Sequence, residues 1–276
     1  MSSPRQLLEQ AGLRPKKRYA QTFLQNASAA RQIARLSLAT APQGVRTLEI
    51  GAGTGALTLA LLEEGADVTA IEIDPDLVAL LRSRDDLARA TIVAADALTF
   101  DYRGWSAGHP WHVAGNLPYN VATAVTLRLI EMEDGPLSLT VMVQKDVAER
   151  FVAAPATPAY GSLSVAVQYA MRAEPGFTLS PGSFFPPPKV RSSVVRLVRR
   201  AEPAVRPRDL AIFWKVVRGA FAYRRKTLAN SLALALGIDR AQIARALNSS
   251  NLSPELRGER LDLGDFARLA DALAEG

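Results

Sequence analysis

Cysteine is absent from this 276-residue sequence, and histidine occurs only twice. Without cysteine there are no disulfides, no thiolate metal ligands and no cysteine nucleophile. The two histidines, His109 and His112, lie in one loop-like stretch, and no third metal ligand is near them in sequence. We therefore expect solvated histidine side chains and no metal site.

Long hydrophobic runs are also missing. No uninterrupted apolar stretch approaches the roughly 20 residues that a membrane-spanning helix needs. The first residues carry charge where a signal peptide would be apolar. Hydrophobic residues nevertheless make up 48% of the chain, which is enough for a substantial core and excludes wholesale disorder. We expect a globular cytoplasmic protein.

Charge is unevenly distributed along the chain. The net charge is +6 and the isoelectric point is about 9.8. Residues 48–101 hold eleven acidic residues against three arginines, whereas residues 196–227 hold ten basic residues against two acidic ones. This pattern is typical of a catalytic core with an appended polyanion-binding surface. Nucleic acid is the leading partner, and an anionic membrane is the weaker alternative.

Strand-like and helix-like segments alternate over the first 200 residues, which predicts an α/β fold with a mostly parallel sheet. Such a sheet binds its ligand at the carboxyl ends of its strands. After Pro203 the pattern becomes helical, at 210–236, 240–247 and 263–273. We therefore predict a basic N-terminal segment or lid at 1–26, a catalytic domain at 27–202 and a helical domain at 203–276. Predicted strands are 45–50, 67–73, 90–94, 111–115, 138–144, 162–169 and 194–198.

Residues suited to a nucleoside cofactor follow three of the predicted strands. Glycines after the first strand let the backbone turn sharply against a ligand: Gly51, Gly53 and Gly55. Glu72 ends the second strand, where a carboxylate can accept both ribose hydroxyls. Asp96 follows the third strand, where it can bind an adenine amino group or cap a helix. NAD and S-adenosylmethionine (AdoMet) fit these features equally well.

The segment Asn116-Leu117-Pro118-Tyr119 follows the fourth strand and can carry chemistry. An adenine amino nitrogen is a poor nucleophile because its lone pair is delocalised into the ring. The side-chain oxygen of Asn116 and a backbone carbonyl flanking Pro118 can hold its two hydrogens and favour a pyramidal nitrogen. Tyr119 offers a ring on which an extruded base can stack. An ordinary turn built from Asn and Pro is the alternative.

Four features together resemble the ribosomal RNA adenine N6-dimethyltransferase family: Glu49–Gly55, Glu72, Asp96 and Asn116–Tyr119. The resemblance is strongest to the bacterial type that acts on small-subunit rRNA, and it covers nearly the whole chain. This chain has Tyr19-Ala20 and Thr22 where the family usually has Phe-Gly and Asn. The other segments that carry the resemblance are 17–24, 144–150, 159–164, 184–190, 221, 224–227 and 230–232.

The resemblance implies a Rossmann-like AdoMet-dependent methyltransferase that dimethylates two adjacent adenines near the 3′ end of 16S rRNA and takes part in small-subunit biogenesis. It implies that Asn116 lies between the cofactor and the target base, and that Phe184 is a second aromatic face beside Tyr119. A monomer is expected. The AdoMet-binding residues it implies are Thr22, Leu24, Gly51, Gly53, Gly55, Glu72, Asp96 and Asn116.

Basic residues with interleaved aromatics predict an RNA-binding surface in the helical region. We expect Arg218, Arg224 and Arg225 near one face of a helix that runs on to Lys226, where they contact phosphates. The alternative is a solvated helix face whose apolar side chains point to a core. Those apolar side chains are Trp214, Val217, Phe221 and Leu228.

Three other functions remain open on the sequence. A nicotinamide oxidoreductase explains the glycines and Glu72 but leaves Asn116–Tyr119 and the basic helices without a role. A ribosome-assembly factor without catalysis leaves the complete cofactor motif unexplained, whereas an assembly role with methylation as a secondary activity is compatible with it. A 23S rRNA adenine methyltransferase is a close relative, but the long C-terminal region and the loop at 184–190 favour the small-subunit type.

Overall fold

The computed structural model describes residues 3–41 and 44–274, which form two compact units. The first takes in the described residues up to Ala148 together with Ala173–Arg199, and the second takes in Glu149–Arg172 and the described residues from Arg200 onward. The predicted boundary at residue 203 therefore differs from the observed division, because Glu149–Arg172 belongs with the C-terminal helices.

A seven-stranded sheet forms the centre of the first unit, in the order β4-β3-β2-β5-β6-β9-β7. Strands β2 to β6 are parallel to one another, and β9 is antiparallel to β6. The α/β prediction is confirmed. The strands are β1 (Phe23–Leu24), β2 (Arg46–Ile50), β3 (Asp67–Glu72), β4 (Thr91–Ala94), β5 (Trp111–Asn116), β6 (Ser138–Gln144), β7 (Met171–Leu179), β8 (Phe184–Phe185) and β9 (Ser192–Arg199).

The central strands are nearly continuous apolar runs because both faces of a parallel sheet are covered. In β6 every residue except Gln144 is buried. The helices between the strands begin where the sequence indicates: α4 starts with Pro75 in its first turn and is capped by the Asp74 carboxylate. The helices up to β7 are α1 (Pro4–Gln10), α2 (Ala27–Leu38), α3 (Ala56–Glu63), α4 (Pro75–Arg82), α5 (Tyr102–Ser106), α6 (Ala122–Glu131), α7 (Lys145–Val152) and α8 (Ser162–Ala170).

The N-terminal segment, residues 3–26, is part of the first unit. Its strand β1 pairs antiparallel with β8, with Phe23 opposite Phe185 and Leu24 opposite Phe184. Leu8 of α1 packs with Phe23 and with Leu77 of α4 in a small hydrophobic cluster of its own. The segment is therefore docked on the first unit by both backbone pairing and apolar contacts.

The second unit is built from helices around its own apolar core, which includes Phe213, Leu247 and Phe266. The strand predicted at 162–169 is wrong, because Ser162–Ala170 is the helix α8. The helix predicted at 210–236 is interrupted after Ala222. The remaining helices are α9 (Leu210–Ala222), α10 (Leu228–Leu236), α11 (Arg240–Ser249) and α12 (Leu263–Ala274).

The prediction of solvated histidines is wrong for His112. It lies on β5, is 4% exposed, and its Nδ1 is 2.7 Å from the hydroxyl of Ser138. Burial and the nearby charge of Arg196 lower the pKa of His112. Across residues 3–41 and 44–274, no three His, Asp or Glu side chains come together as a metal site. No helix in the same part of the chain is long and apolar enough to cross a membrane.

Candidate functional site

A cavity of about 340 Å³ opens at the carboxyl ends of the parallel strands in the first unit. From β2 the chain continues to β3 on one side of the sheet, and from β5 it continues to β6 on the other side. The point where the strand order reverses in this way is the usual ligand site of an open α/β sheet. The volume lies within the range of sites for small organic ligands. Nine predicted residues line it: Thr22, Leu24, Gly51, Gly53, Glu72, Asp96, Asn116, Leu117 and Pro118.

The glycine turn after β2 forms the floor of this cavity. Gly51 and Gly53 have φ values of +75° and +59°, a conformation that favours glycine. A Cβ on Gly53 would also lie 3.0 Å from the ring of Phe23 on the N-terminal segment. The turn can therefore approach both a ligand and the N-terminal segment closely.

The Glu72 carboxylate is held rigidly at the end of β3. One oxygen accepts the backbone N–H of Gly53 at 2.9 Å, and the other accepts those of Ile73 and Asp74 at 3.0 Å. Glu72 is 6% exposed, and burial raises its pKa. A carboxylate has about four acceptor sites, so three backbone donors orient it and leave room for a ligand hydroxyl.

Asp96 lies in the loop after β4 and combines the two roles considered from the sequence. Its Oδ1 accepts the backbone N–H of Leu98 at 2.8 Å and so caps the turn that begins there. The side chain is half-buried and lines the cavity. One oxygen thus fixes the loop while the other stays available to a ligand donor.

Glu49 is a cavity residue that our prediction of the site omitted. It lies on β2, is 1% exposed, and its Oε2 makes no hydrogen bond within the described residues. Burial, helped by the negative charge of Glu72, raises the pKa of Glu49 to about 7. A buried carboxyl oxygen without a partner is costly, so the cavity is suited to a ligand with a positive charge at this point. An acidic residue inside a buried strand was the available signal.

Two aliphatic residues of the cavity wall were also missed. Ile73 and Leu98 follow the carboxylates of Glu72 and Asp96, and they are 42% and 38% exposed. Exposed aliphatic side chains on a cavity wall are suited to an aromatic ring. The sequence signal was a large apolar residue close behind each carboxylate: Ile73 comes directly after Glu72, and Leu98 comes two residues after Asp96.

The orientation of the Asn116 amide follows from its hydrogen bond. Its Nδ2 lies 3.0 Å from the backbone carbonyl of Thr22. Because a carbonyl only accepts, the amide must present its NH2 group to Thr22. The side-chain oxygen of Asn116 is therefore turned away from the N-terminal segment and is the acceptor left for a ligand.

The two backbone carbonyls around Pro118 differ in availability. The carbonyl of Pro118 accepts the N–H groups of Val121 and Ala122 at the start of α6, each at 3.0 Å. The carbonyl of Leu117 accepts no hydrogen bond within the described residues. The flanking acceptor expected from the sequence is thus the Leu117 carbonyl.

Three of the predicted catalytic and cofactor-binding residues do not line the cavity: Gly55, Tyr119 and Phe184. Gly55 is the N-cap of α3, and a Cβ there would lie 2.6 Å from a methyl group of Leu87, so this glycine allows close packing. Phe184 is 1% exposed and packs in the core, because β8 pairs it with Leu24 of β1. The expectation that its ring faces a base is therefore not met in this structure.

Tyr119 is half-buried directly after the cavity residues. Its hydroxyl lies 2.6 Å from the hydroxyl of Ser192, a fully buried residue on β9. Burial raises the pKa of Tyr119, which the bond to Ser192 partly offsets. A neutral phenol tied to the sheet holds the ring in a fixed position.

The basic residues of the second unit are exposed but do not share a helix. Arg218 lies on α9, whereas Arg224, Arg225 and Lys226 form the turn between α9 and α10. The prediction of one continuous helix is wrong because α9 ends at Ala222. The expected apolar side chains pack into the core: Val217 and Leu228 are fully buried, and Trp214 and Phe221 are partly buried against them.

Residues 12–274 match the model of the family described as ribosomal RNA adenine dimethylase. The chain belongs to this family. Two proteins named "Ribosomal RNA small subunit methyltransferase A" are similar over almost their whole length. The one from Pseudomonas aeruginosa is 42% identical, over 95% of this chain and 96% of that protein. The one from Streptococcus gordonii is 40% identical, over 99% and 96%.

Solved structures support the same fold. The 23S rRNA methyltransferase ErmE has a TM-score of 0.70 at 24% identity, over 91% of this chain and 99% of that one. A dimethyladenosine transferase from Plasmodium falciparum has a TM-score of 0.69 at 23% identity, over 90% and 95%. As a ribosomal RNA adenine dimethylase, the protein is an AdoMet-dependent methyltransferase with an rRNA partner, so the oxidoreductase alternative is wrong.

Proposed function

We propose that this adenine dimethylase modifies N6 of two adjacent adenines near the 3′ end of 16S rRNA, within the small ribosomal subunit or its precursor. The names of the two bacterial relatives, which match along nearly their full length, support the small-subunit substrate. We also propose a role in small-subunit biogenesis, as a monomer in the cytoplasm where ribosomal subunits assemble.

The residues of the cavity fit AdoMet. The unpartnered Oε2 of Glu49 suits the ammonium group of its methionine part, and the glycine turn leaves room for that part. Glu72 would accept ribose hydroxyls, and Asp96 would accept the adenine amino group between Ile73 and Leu98. When bound, AdoMet supplies an activated methyl group on a sulfonium. No strong base or metal is needed to activate that methyl group, so positioning of the acceptor carries most of the rate.

The geometry of Asn116 is the observation that carries the catalytic proposal. Its Nδ2 is committed to the Thr22 carbonyl, so its oxygen accepts one N6 hydrogen of the target adenine. The unoccupied Leu117 carbonyl accepts the other. In the first transfer, two acceptors on the two hydrogens favour a pyramidal nitrogen whose lone pair is free to attack; in the second, the monomethylated nitrogen has one hydrogen left for one of them. The two acceptors also stabilise the positive charge that develops on the nitrogen during methyl transfer.

Tyr119 and the second unit have supporting roles in this proposal. The Tyr119 ring, held by Ser192, stacks on the extruded adenine. The exposed Arg218 and the turn at Arg224, Arg225 and Lys226 contact rRNA phosphates, which place the substrate without selecting the base. Base identity is then read at Asn116 and Leu117.

The test uses small subunits from a bacterial strain that lacks this methylation. The subunits are incubated with labelled AdoMet and either the wild-type protein or the N116A variant, and the modified bases are mapped by mass spectrometry. We expect two dimethylated adenines near the 3′ end of 16S rRNA with the wild type. The variant should be slower by roughly a hundredfold, the usual loss when one preorganised polar group is removed from a transition state.

Binding measurements make the result decisive. Calorimetry with S-adenosylhomocysteine and sedimentation with small subunits should show that N116A still binds both. Label in 23S rRNA, or no label in 16S rRNA from a wild-type protein that binds AdoMet, would overturn the proposed substrate. An unimpaired N116A variant would overturn the proposed role of the amide.

A further inference from the structure

The N-terminal segment is held to the first unit by a polar cluster at the edge of the cavity, and Gln21 of this cluster is one of the cavity-lining residues. The Lys16 ammonium lies 2.6 Å from Asp74 Oδ1 and 2.5 Å from Asp76 Oδ2. The Gln21 side chain donates to Asp74 Oδ2 at 2.8 Å and accepts the backbone N–H of Lys16 at 2.7 Å. We call Lys16, Gln21 and Asp74 the latch.

Within the latch, Asp74 is held in a fixed position. Asp74 is 1% exposed, caps α4 through the N–H of Asp76, and its own N–H is held by Glu72. Burial opposes ionisation of Asp74, but the hydrogen bonds from Lys16 and Gln21 lower its pKa below the ordinary value. The carboxylate is thus charged, fixed in position and saturated by the N-terminal segment.

Gln21 connects the latch to the chemistry because Thr22 is the next residue. The carbonyl of Thr22 is the acceptor that orients the Asn116 amide. If the segment moved away, Nδ2 would lose this acceptor and the amide would be free to rotate about its last side-chain bond. The Asn116 oxygen would then no longer be directed at the target nitrogen.

We propose that Lys16 and Gln21 are positioning residues for methyl transfer: with Asp74 they hold the Thr22 carbonyl against Asn116, so that its side-chain oxygen faces the adenine amine. This inference rests on the proposed function of Asn116. It also gives Thr22 a role through its backbone, which any residue can supply. The Asn usual at this position in the family is therefore not required for this contact.

The test is a double-mutant cycle between Gln21 and Asn116, read as the single-turnover rate of methyl transfer to small subunits at saturating AdoMet. Q21M has similar length but removes both amide contacts. It should lower the rate roughly ten- to hundredfold in the wild-type background, the scale of a small misplacement of a reacting group. In the N116A background it should change the rate by less than about twofold, because the group it positions is gone.

K16M provides a second variant, and K17M is its matched control. Lys17 is the next residue, is exposed, and its loss removes the same charge from the same segment without touching Asp74. K16M should repeat the coupled loss, whereas K17M should keep the single-turnover rate. Thermal unfolding and S-adenosylhomocysteine binding are measured on each variant to verify a folded cofactor site.

The outcomes separate this inference from the proposed function. Equal fold-losses for Q21M in both backgrounds, or a full rate in both Q21M and K16M, overturn the latch as a positioning device while leaving 16S methylation intact. Failure of the wild type to methylate 16S rRNA overturns the proposed function instead. A coupled loss in Q21M and K16M, with none in K17M, supports the inference.

Discussion

Glu49 carries an energetic cost in the protein without cofactor. It is fully buried beside a second carboxylate, Glu72, and one of its oxygens has no partner within the described residues. Burial disfavours the charged form and raises the pKa of Glu49 to about 7, so the carboxyl is mostly protonated below neutral pH. A ligand cation would make the charged form favourable, so cofactor binding and proton release by Glu49 are coupled.

The stability of the cofactor-free protein should therefore depend on pH through Glu49. Its pKa is about 7 in the folded protein against 4.5 ordinarily. The contribution to the free energy of unfolding is fully present below pH 4.5 and is lost as the pH rises to about 7. E49Q resembles the protonated acid, so at pH 8 it should be more stable than the wild type by up to about 3 kcal/mol. Urea denaturation from pH 4.5 to pH 8 measures this.

An exposed glutamate gives the control for this prediction. Glu63 lies exposed on α3, and E63Q should match the wild type at both ends of the pH range. E49Q should also bind AdoMet more weakly. If E49Q is no more stable than the wild type at pH 8, the carboxyl of Glu49 is solvated or paired in solution.

At the scale of elements, the N-terminal half was predictable because local and long-range signals agree there. Strand-end carboxylates and glycines in a βαβ chain must meet at one sheet edge, which is why Gly51, Glu72 and Asp96 could be brought together from sequence. Phe184 and Gly55 could not be assigned in this way. Their environments depend on which strand and which side chains pack against them.

Helix α8 shows a local pattern overridden by packing. Leu163, Val165 and Val167 alternate with smaller residues, which is typical of a strand. In the structure the hydroxyl of Ser164 accepts the N–H of Gly161 and donates to the carbonyl of Arg150. These contacts start a helix and hold it to the second unit. Neither contact could be predicted from the alternation of apolar and small residues in the sequence.

The turn between α9 and α10 should carry much of the salt dependence of rRNA binding. Replacing Arg224, Arg225 and Lys226 with alanine should lower the slope of log affinity against log salt by up to about one unit per lost phosphate contact. Filter binding or sedimentation across a salt series measures the slope. The affinity for S-adenosylhomocysteine is the internal control, since the cavity lies in the first unit. An unaltered slope would mean that the three charges are only solvated.

At the scale of the whole molecule, each unit has its own apolar core. S-Adenosylhomocysteine should therefore stabilise the first unit selectively, by about 2.7 kcal/mol when its concentration is one hundred times Kd. Differential scanning calorimetry should show two transitions, of which the ligand moves one. A single transition that shifts as a whole would show instead that the two cores unfold together.

The interleaved division of the chain has a consequence for its synthesis. The second unit needs Glu149–Arg172, which are made before β9 and almost entirely before β7, and it also needs the helices after Arg200. Strand β9 lies between β6 and β7, although it is made after both. By contrast, the last residue along the chain that lines the cavity is Val121. The nascent chain therefore completes its cofactor-binding residues early, then carries unpaired strands and an incomplete helical core until the last segments emerge.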